Sequence, residues 1–178
     1  MPEQRVGLLG LGSNLRDRRA QLQAAVDALP AAGVTVLACS STYDTDPVGE
    51  VTDQPSFLNA CVRVQTALEP LALLDTAKRL ERELGRGESS VRHGPRAIDI
   101  DILLLGELEL AHERMTLPHE QLLTRRFVLI PALELDFELQ APARPPGRAV
   151  VRLADALAAL PLDEGVRWAG PPLQLRGT

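Results

Sequence analysis

Apolar and polar positions change their period several times along the chain, and each change predicts an element. Arg5 to Gly12 is a short apolar run, the pattern of a buried strand. Leu15, Leu22, Val26 and Leu29 then form one stripe at helical spacing; Ser13 or Asn14 can cap that helix and Gly33 ends it. Val34 to Tyr43 predicts a second strand. Asp44 to Pro55 carries two prolines, a glycine and four acidic residues, the composition of an exposed loop. Phe57 to Leu68 predicts a third strand, with Leu58, Ala60, Val62 and Val64 on one face and Phe57, Asn59, Cys61 and Arg63 on the other. Pro70 suits the first turn of a helix whose buried side is Leu73, Leu74, Ala77, Leu80 and Leu84. Ile98 to Ile102 alternates Ile and Asp, which predicts a fourth strand. Beyond it, Glu107 to Ala111 reads as a short strand, Pro118 to about Leu133 as a helix, Ala141 to Gly147 as a linker and Leu153 to Leu160 as a short helix before a polar tail.

Through Gly106 the order is β-α-β-β-α-β, which predicts an α+β fold of the split βαβ, ferredoxin-like kind. Two helices cover one face of an antiparallel sheet, and a helical extension follows at the C-terminus. The chain reads as a single domain over 1–178, with a core at 5–135 and the extension at 136–178. The apolar faces of the third and fourth strands should pack on the helices. Phe57 and Asn59 would then look out from the same open face as Asp99 and Asp101.

The alternating strand carries the candidate chemistry. Asp99 and Asp101, two residues apart, project from one face with Cα atoms roughly 6.5–7 Å apart. Like charges that close repel, and Asp is a poor strand former. A cation between the carboxylates removes both objections. Arg86, Arg92, His93 and Arg96 lie in the loop just before the strand, so positive charge flanks the proposed metal. That combination suits a polyphosphate held by Mg²⁺ and arginines. No Walker A motif is present, and Gly10-Leu11-Gly12-Ser13-Asn14-Leu15 lacks the third glycine of a dinucleotide fingerprint.

Composition narrows the partners. The net charge of −5 argues against non-specific nucleic-acid binding. All 19 basic residues are Arg except Lys78, a bias that base composition explains. Cys39 and Cys61 are spaced unlike a zinc pattern and read as small buried hydrophobes in a reducing cytoplasm. No apolar run reaches membrane-spanning length, and Val6 to Leu11 lacks a signal-peptide pattern. A cytoplasmic monomer acting on small molecules, without nucleic acid or membrane, is expected.

Five stretches in order resemble 6-hydroxymethyl-7,8-dihydropterin pyrophosphokinases, enzymes of folate biosynthesis, over about Val6 to Leu135. They are Gly-Ser-Asn-Leu at 12–15; Thr45-x-Pro47-x-Gly49; Gln54-Pro55-x-Phe57-Leu58-Asn59-Ala60; Gly94-Pro95-Arg96-x-Ile98-Asp99-Ile100-Asp101-Ile102; and Arg114-x-Thr116-x-Pro118-His119 with Arg125-x-Phe127. The resemblance implies a ferredoxin-like fold, two Mg²⁺ ions, and transfer of the β,γ-diphosphate of ATP to the pterin hydroxymethyl oxygen. It implies that Asp99 and Asp101 hold metal, and that Arg86 and Arg96 meet the phosphates during transfer. Glu81, Arg92, Ile102, Arg114, Thr116, His119 and Arg125 resemble ATP-contacting positions. Phe57 and Phe127 resemble the pair that sandwiches the pterin, with Asn59 bonding its ring and the backbone at Thr45 and Val48 reading its edge.

Three positions depart from common family patterns: Glu88 where an arginine often stands, His93 where an aromatic often sits, and Glu120 where Tyr occurs. Glu88 implies altered ATP affinity. Two rival readings are a non-catalytic ligand-binding domain of the same fold and a metal-dependent phosphohydrolase. The first leaves the Asp pair and arginine loop unexplained, the second Phe57 and Asn59.

Overall fold

A computed structural model describes residues 1–47, 53–85, 97–136, 138–142, 149–162 and 165–176. The main sheet is built on β1 (Arg5–Ser13), which lies between β4 (Phe57–Thr66) and β5 (Asp99–Leu105). Beyond β4 come β2 (Val34–Cys39) and β3 (Thr42–Thr45), both paired to β4, and β10 (Val166–Gly170) closes that edge on β3. Every one of these pairings is antiparallel. With four α-helices among the described residues, this is a mixed fold of helices on an antiparallel sheet.

Two of those helices, α1 (Arg18–Ala28) and α2 (Pro70–Glu83), pack on one face as the hydrophobic periods predict. Leu22, Val26, Leu73 and Leu80 meet Leu58, Val62, Ile98, Ile100 and Ile102 in one buried cluster. Burying each such side chain contributes about 1.5–3 kcal/mol. The alternation also fixes the opposite face: with Ile100 and Ile102 turned inward, Asp99 and Asp101 must turn out.

Several boundaries differ from expectation. The first helix is capped by Asp17, whose Oδ1 accepts the Ala20 N–H at 3.0 Å, and not by Ser13 or Asn14. Those two are engaged elsewhere: Ser13 Oγ donates to the Leu15 carbonyl, and Asn14 Nδ2 donates to Gln54 Oε1 and the Pro55 carbonyl. The predicted second strand is two strands, because Ser40 breaks the ladder. Its hydroxyl accepts the Cys61 N–H at 2.8 Å and donates to the Ser41 carbonyl, competing with backbone partners.

The predicted helix from Pro118 begins only at Arg126, giving α3 (Arg126–Leu135). The His119 N–H donates to the Leu103 carbonyl of β5 at 2.9 Å, and the turns after it close i to i+3 bonds from Leu122 and Thr124. The short strand expected over Glu107–Ala111 is β6 (Leu110–His112), and it pairs with β7 (Met115–Leu117) away from the main sheet.

The helices do not all lie on one side. Leu122, Val128, Leu129, Ala132 and Leu133 of α3 and the turns before it pack against Leu8, Cys61 and Leu103 on the second face, joined by Leu153 at the start of α4 (Leu153–Ala159). The sheet face read as open is therefore half covered. The extension is not only helical either: β8 (Gln140–Pro142) pairs with β9 (Val150–Arg152), and the expected polar tail supplies β10. Its last residues run along α1, where Arg19 donates to the Pro171 and Pro172 carbonyls and Leu173 is buried. No helix among the described residues is long and apolar enough to cross a membrane.

Candidate active site

Strand register assembles the site. Across β1 and β5, Gly12 opposes Asp99 and Gly10 opposes Asp101; across β1 and β4, Gly12 opposes Asn59 and Gly10 opposes Cys61. Two rows, Asn59–Gly12–Asp99 and Cys61–Gly10–Asp101, thus cross the uncovered part of the sheet. At the middle of each row the strand has no side chain, so the sheet itself forms a floor between β4 and β5. A Cβ at Gly12 would lie 2.9 Å from Asn59 Oδ1, closer than real contacts allow, so the glycine leaves room for Asn59. The Gly10-x-Gly12 spacing was visible in the sequence, but its meaning depends on which strands flank β1.

A first recess stands on this floor. Phe57, Asn59 and Thr45 line it from β3 and β4, Phe127, Val128 and Pro131 from α3, and Asp99 and Asp101 from β5. Asn59 Nδ2 donates to Thr45 Oγ1 at 2.6 Å, which fixes the amide with its oxygen turned toward Gly12. Phe57, Asn59 and Phe127 are all half-buried. Asp46, Gln54 and Gln121 complete the rim; Gln54 stood in one of the family-like stretches without a role, and Asp46 and Gln121 were not singled out, because scattered polar residues in loops carry no periodic signal.

A second recess opens on the other side of Asp101, lined by Lys78 of α2, Ile102 of β5, the Arg114–Met115–Thr116 edge of the β6–β7 hairpin, His119 and Glu120. Asp101 lines both recesses. Arg114 is ion-paired with Asp75 of α2 on the surface. His119 Nδ1 accepts the Gln121 N–H at 3.1 Å, so the ring proton of the neutral imidazole lies on Nε2, available as a donor. The helix expected from Pro118 starts only at Arg126, so His119 does not stand at a helix N-terminus. Glu81 is 1 % exposed; its Oε1 accepts the Ile100 N–H at 2.8 Å, and its Oε2 pairs with Lys78 Nζ at 3.2 Å. Lys78 was passed over because a lysine on a helix is ordinarily a solvated one. Arg125 caps the start of α3 and lines neither recess. Val48, Arg86, Glu88, Arg92, His93 and Arg96 lie outside the described residues.

The two carboxylates burden each other. Asp101 is exposed where it borders the two recesses; partial desolvation, then the charge of Asp99, pushes its carboxyl up, with His119 and Lys78 acting in the opposite direction. A cation relieves both costs. Among the described residues there is no cluster of three or more His, Cys, Asp or Glu able to cage a metal. Two carboxylates on one strand face fit Mg²⁺, which takes hard oxygens, keeps waters and shares substrate phosphates.

An antiparallel floor with a carboxylate pair between an aromatic-walled recess and a polar one of mixed charge, where Lys78, Arg114 and His119 stand among Glu113 and Glu120, fits a site for two substrates. Residues 8–137 match the family described as 7,8-dihydro-6-hydroxymethylpterin-pyrophosphokinase, HPPK. The chain belongs to that family. It is 42% identical over 163 residues to a 2-amino-4-hydroxy-6-hydroxymethyldihydropteridine pyrophosphokinase of Pseudomonas aeruginosa, covering 91% of this chain and 96% of the relative. The namesake from Bacillus subtilis is 42% identical over 139 residues, 78% of this chain and 82% of the relative. Against a folate synthesis bifunctional protein of Arabidopsis thaliana it is 41% identical over 72% of its own length, and it spans only 26% of that relative. The solved Plasmodium falciparum HPPK-DHPS shares the fold, with a TM-score of 0.67 at 13% identity over 88% of this chain and 45% of that one.

Proposed function

We propose that this chain transfers the β,γ-diphosphate of ATP to the hydroxymethyl oxygen of 6-hydroxymethyl-7,8-dihydropterin, releasing AMP, as a Mg²⁺-dependent enzyme of folate biosynthesis. The observation that carries the reading is the position of Asp101, which lines both an aromatic-walled recess and a second one that holds Lys78, Arg114 and His119. The strand order, with β1 between β4 and β5 and β2 beyond β4, supports the finer reading of the sheet as ferredoxin-like. We read the chain as one domain acting as a cytoplasmic monomer.

In this reading Phe57 and Phe127 stack on the two faces of the pterin, and Asn59 and the Thr45 and Val48 backbone bond its edge. Thr45 Oγ1 holds the Asn59 amide so that its free polar atoms address the ring. Ile102, Arg114, Thr116 and His119 take ATP in the second recess, His119 through Nε2–H. Glu81 supports that wall from beneath by holding the Ile100 N–H and Lys78. Arg92 and, from outside the recess, Arg125 add further ATP contacts, and Arg86 and Arg96 meet the transferred group. Asp99 and Asp101 hold two Mg²⁺ ions, which when bound neutralise phosphate oxygens and orient attacking and leaving atoms.

The pterin hydroxyl oxygen forms its bond to the β-phosphorus as the bond from that phosphorus to the α,β-bridging oxygen breaks; AMP leaves with the bridging oxygen, and the hydroxyl proton passes to solvent. The chain's part is alignment and charge: two rings fix the acceptor, arginines and His119 fix the donor, and both meet at Asp101. AMP formation with and without the hydroxymethylpterin tests the proposal. Pterin-dependent AMP is expected; AMP released equally without pterin would make the chain a phosphohydrolase, and none in either case a binding domain.

A further inference from the structure

The break between β2 and β3 leaves a backbone donor that the sheet does not use. Ser40 takes both polar groups of Cys61, so the next amide, Ser41 N–H, turns away from β4. The partner comes from the far helix: Glu134, near the end of α3, accepts the Ser41 N–H at 2.8 Å, the Ser41 hydroxyl at 2.6 Å and the Tyr43 hydroxyl at 2.6 Å. One side chain therefore ties α3 to the start of β3 by three hydrogen bonds.

What α3 and β3 carry gives the tie its consequence. Phe127 and Pro131, on α3, form one wall of the aromatic recess. On the other side Tyr43 pairs with Asn59, and Thr45 with Phe57. We propose that Glu134 is a positioning residue that sets the gap between Phe127 and Phe57, and so the fit of a flat heterocycle in the first recess. It touches neither substrate. The bonds are charge-assisted: burial raises the Glu134 carboxyl, but the Ser41 and Tyr43 donors outweigh it and hold the group below its usual range. Tyr43, by burial and by this partner, is pushed up to about 12, so it stays a donor throughout the neutral range.

This inference rests on the proposed function, and the experiment separates the two. Dissociation constants for the hydroxymethylpterin and for MgATP are measured separately on the full chain, its E134A and E134Q variants, and Y43F. E134A is expected to weaken pterin about tenfold, one factor of ten being about 1.4 kcal/mol, and to leave MgATP within twofold. E134Q, which keeps an acceptor for Ser41, should recover most of the loss. Y43F, which deletes one hydroxyl, should lose about threefold, and it carries the test if E134A does not fold. Unchanged pterin binding in E134A, or in Y43F where E134A does not fold, overturns the positioning role while leaving the function intact. Equal loss of both ligands overturns it too, as a general loosening. An unaltered chain that binds no pterin overturns both.

Discussion

The two recesses on either side of Asp101 are built on different principles. The first is held by structure: its walls are side chains of β3, β4 and α3, its floor is two glycines of the central strand, and its polar groups are pinned by one another. The second is held by charge: Lys78, Arg114 and His119 come from a helix, a hairpin and a turn, and Lys78 and Arg114 are already paired with protein carboxylates. A flat neutral ring offers few contacts per atom, so it needs a preformed slot. A triphosphate brings enough charge to rearrange flexible cations around itself. Substitutions in the first recess should therefore act through shape, and those in the second through charge.

The largest effect should come where the comparison breaks down, at the residues common to both sides. Asp101→Ala is expected to lower turnover by about a thousandfold or more, on the scale of losing a principal transition-state contact, and Asp99→Ala nearly as much. Asp101→Ala should not destabilise the free protein, because it removes half of a like-charge pair. AMP formation measures the first quantity and thermal unfolding the second. Turnover near that of the unaltered chain in either variant would remove the metal assignment.

Next should come a change of shape without charge. Gly12→Ala places a methyl group 2.9 Å from Asn59 Oδ1, and the amide is held on its other side by Thr45. Pterin affinity should fall about a hundredfold, comparable to overpacking costs of roughly 1–3 kcal/mol, with MgATP unchanged. Gly10→Ala, whose Cβ would find its nearest neighbour in the Leu103 side chain at 3.5 Å, should be milder. Equal effects of the two would mean that the floor is not shaped at Asn59.

Phe127→Ala is expected to weaken pterin binding by about 1–3 kcal/mol, the worth of a base–aromatic stack, and to leave MgATP alone. Phe127 also packs against the second core cluster, so an unfolding midpoint must accompany the titration. Equal loss of both ligands would indicate a packing defect and not a stacking role.

These differences bear on what the sequence could reveal. The shared face of β4 and β5 was legible because strand alternation is geometric: once Ile98, Ile100 and Ile102 turn inward, Asp99 and Asp101 have no choice of face, nor do Phe57 and Asn59 once Leu58 and Ala60 turn inward; the glycines between them were not. The aromatic wall from α3 was legible only through family resemblance, since nothing local says that a helix after residue 118 crosses to the second face. The missed boundaries share a cause. Ser40, Asn14 and His119 each send a polar group to a partner distant in sequence, Cys61, Gln54 and Leu103, and such long-range bonds override local propensity. β10 was missed because a polar, exposed edge strand has little apolar pattern; Trp168 is 64% exposed. Lys78 and Glu134 were missed because a charged residue on a helix gives no sign of its partner.

The smallest effect should be found on the charged side, and its sign matters more than its size. Arg114 is paired with Asp75, and both side chains are largely exposed, at 46% and 63%. An exposed pair of this kind contributes only about 0.2–1 kcal/mol. In the free protein Asp75 draws Arg114 toward α2, and a bound phosphate must compete for the same guanidinium. Asp75→Asn removes that competitor while keeping the side-chain volume, so MgATP should bind about two- to threefold more tightly at low salt, with pterin affinity unchanged. Salt should erase the gain, because screening weakens exposed charge interactions over about 10 Å at 0.1 M. Arg114→Ala should instead weaken MgATP, and in that background Asp75→Asn should have no further effect. Paired titrations of the four proteins at low and moderate salt form the test. A weaker MgATP complex in Asp75→Asn would show that the pair presents Arg114 to the nucleotide, so that the second recess, like the first, is preformed.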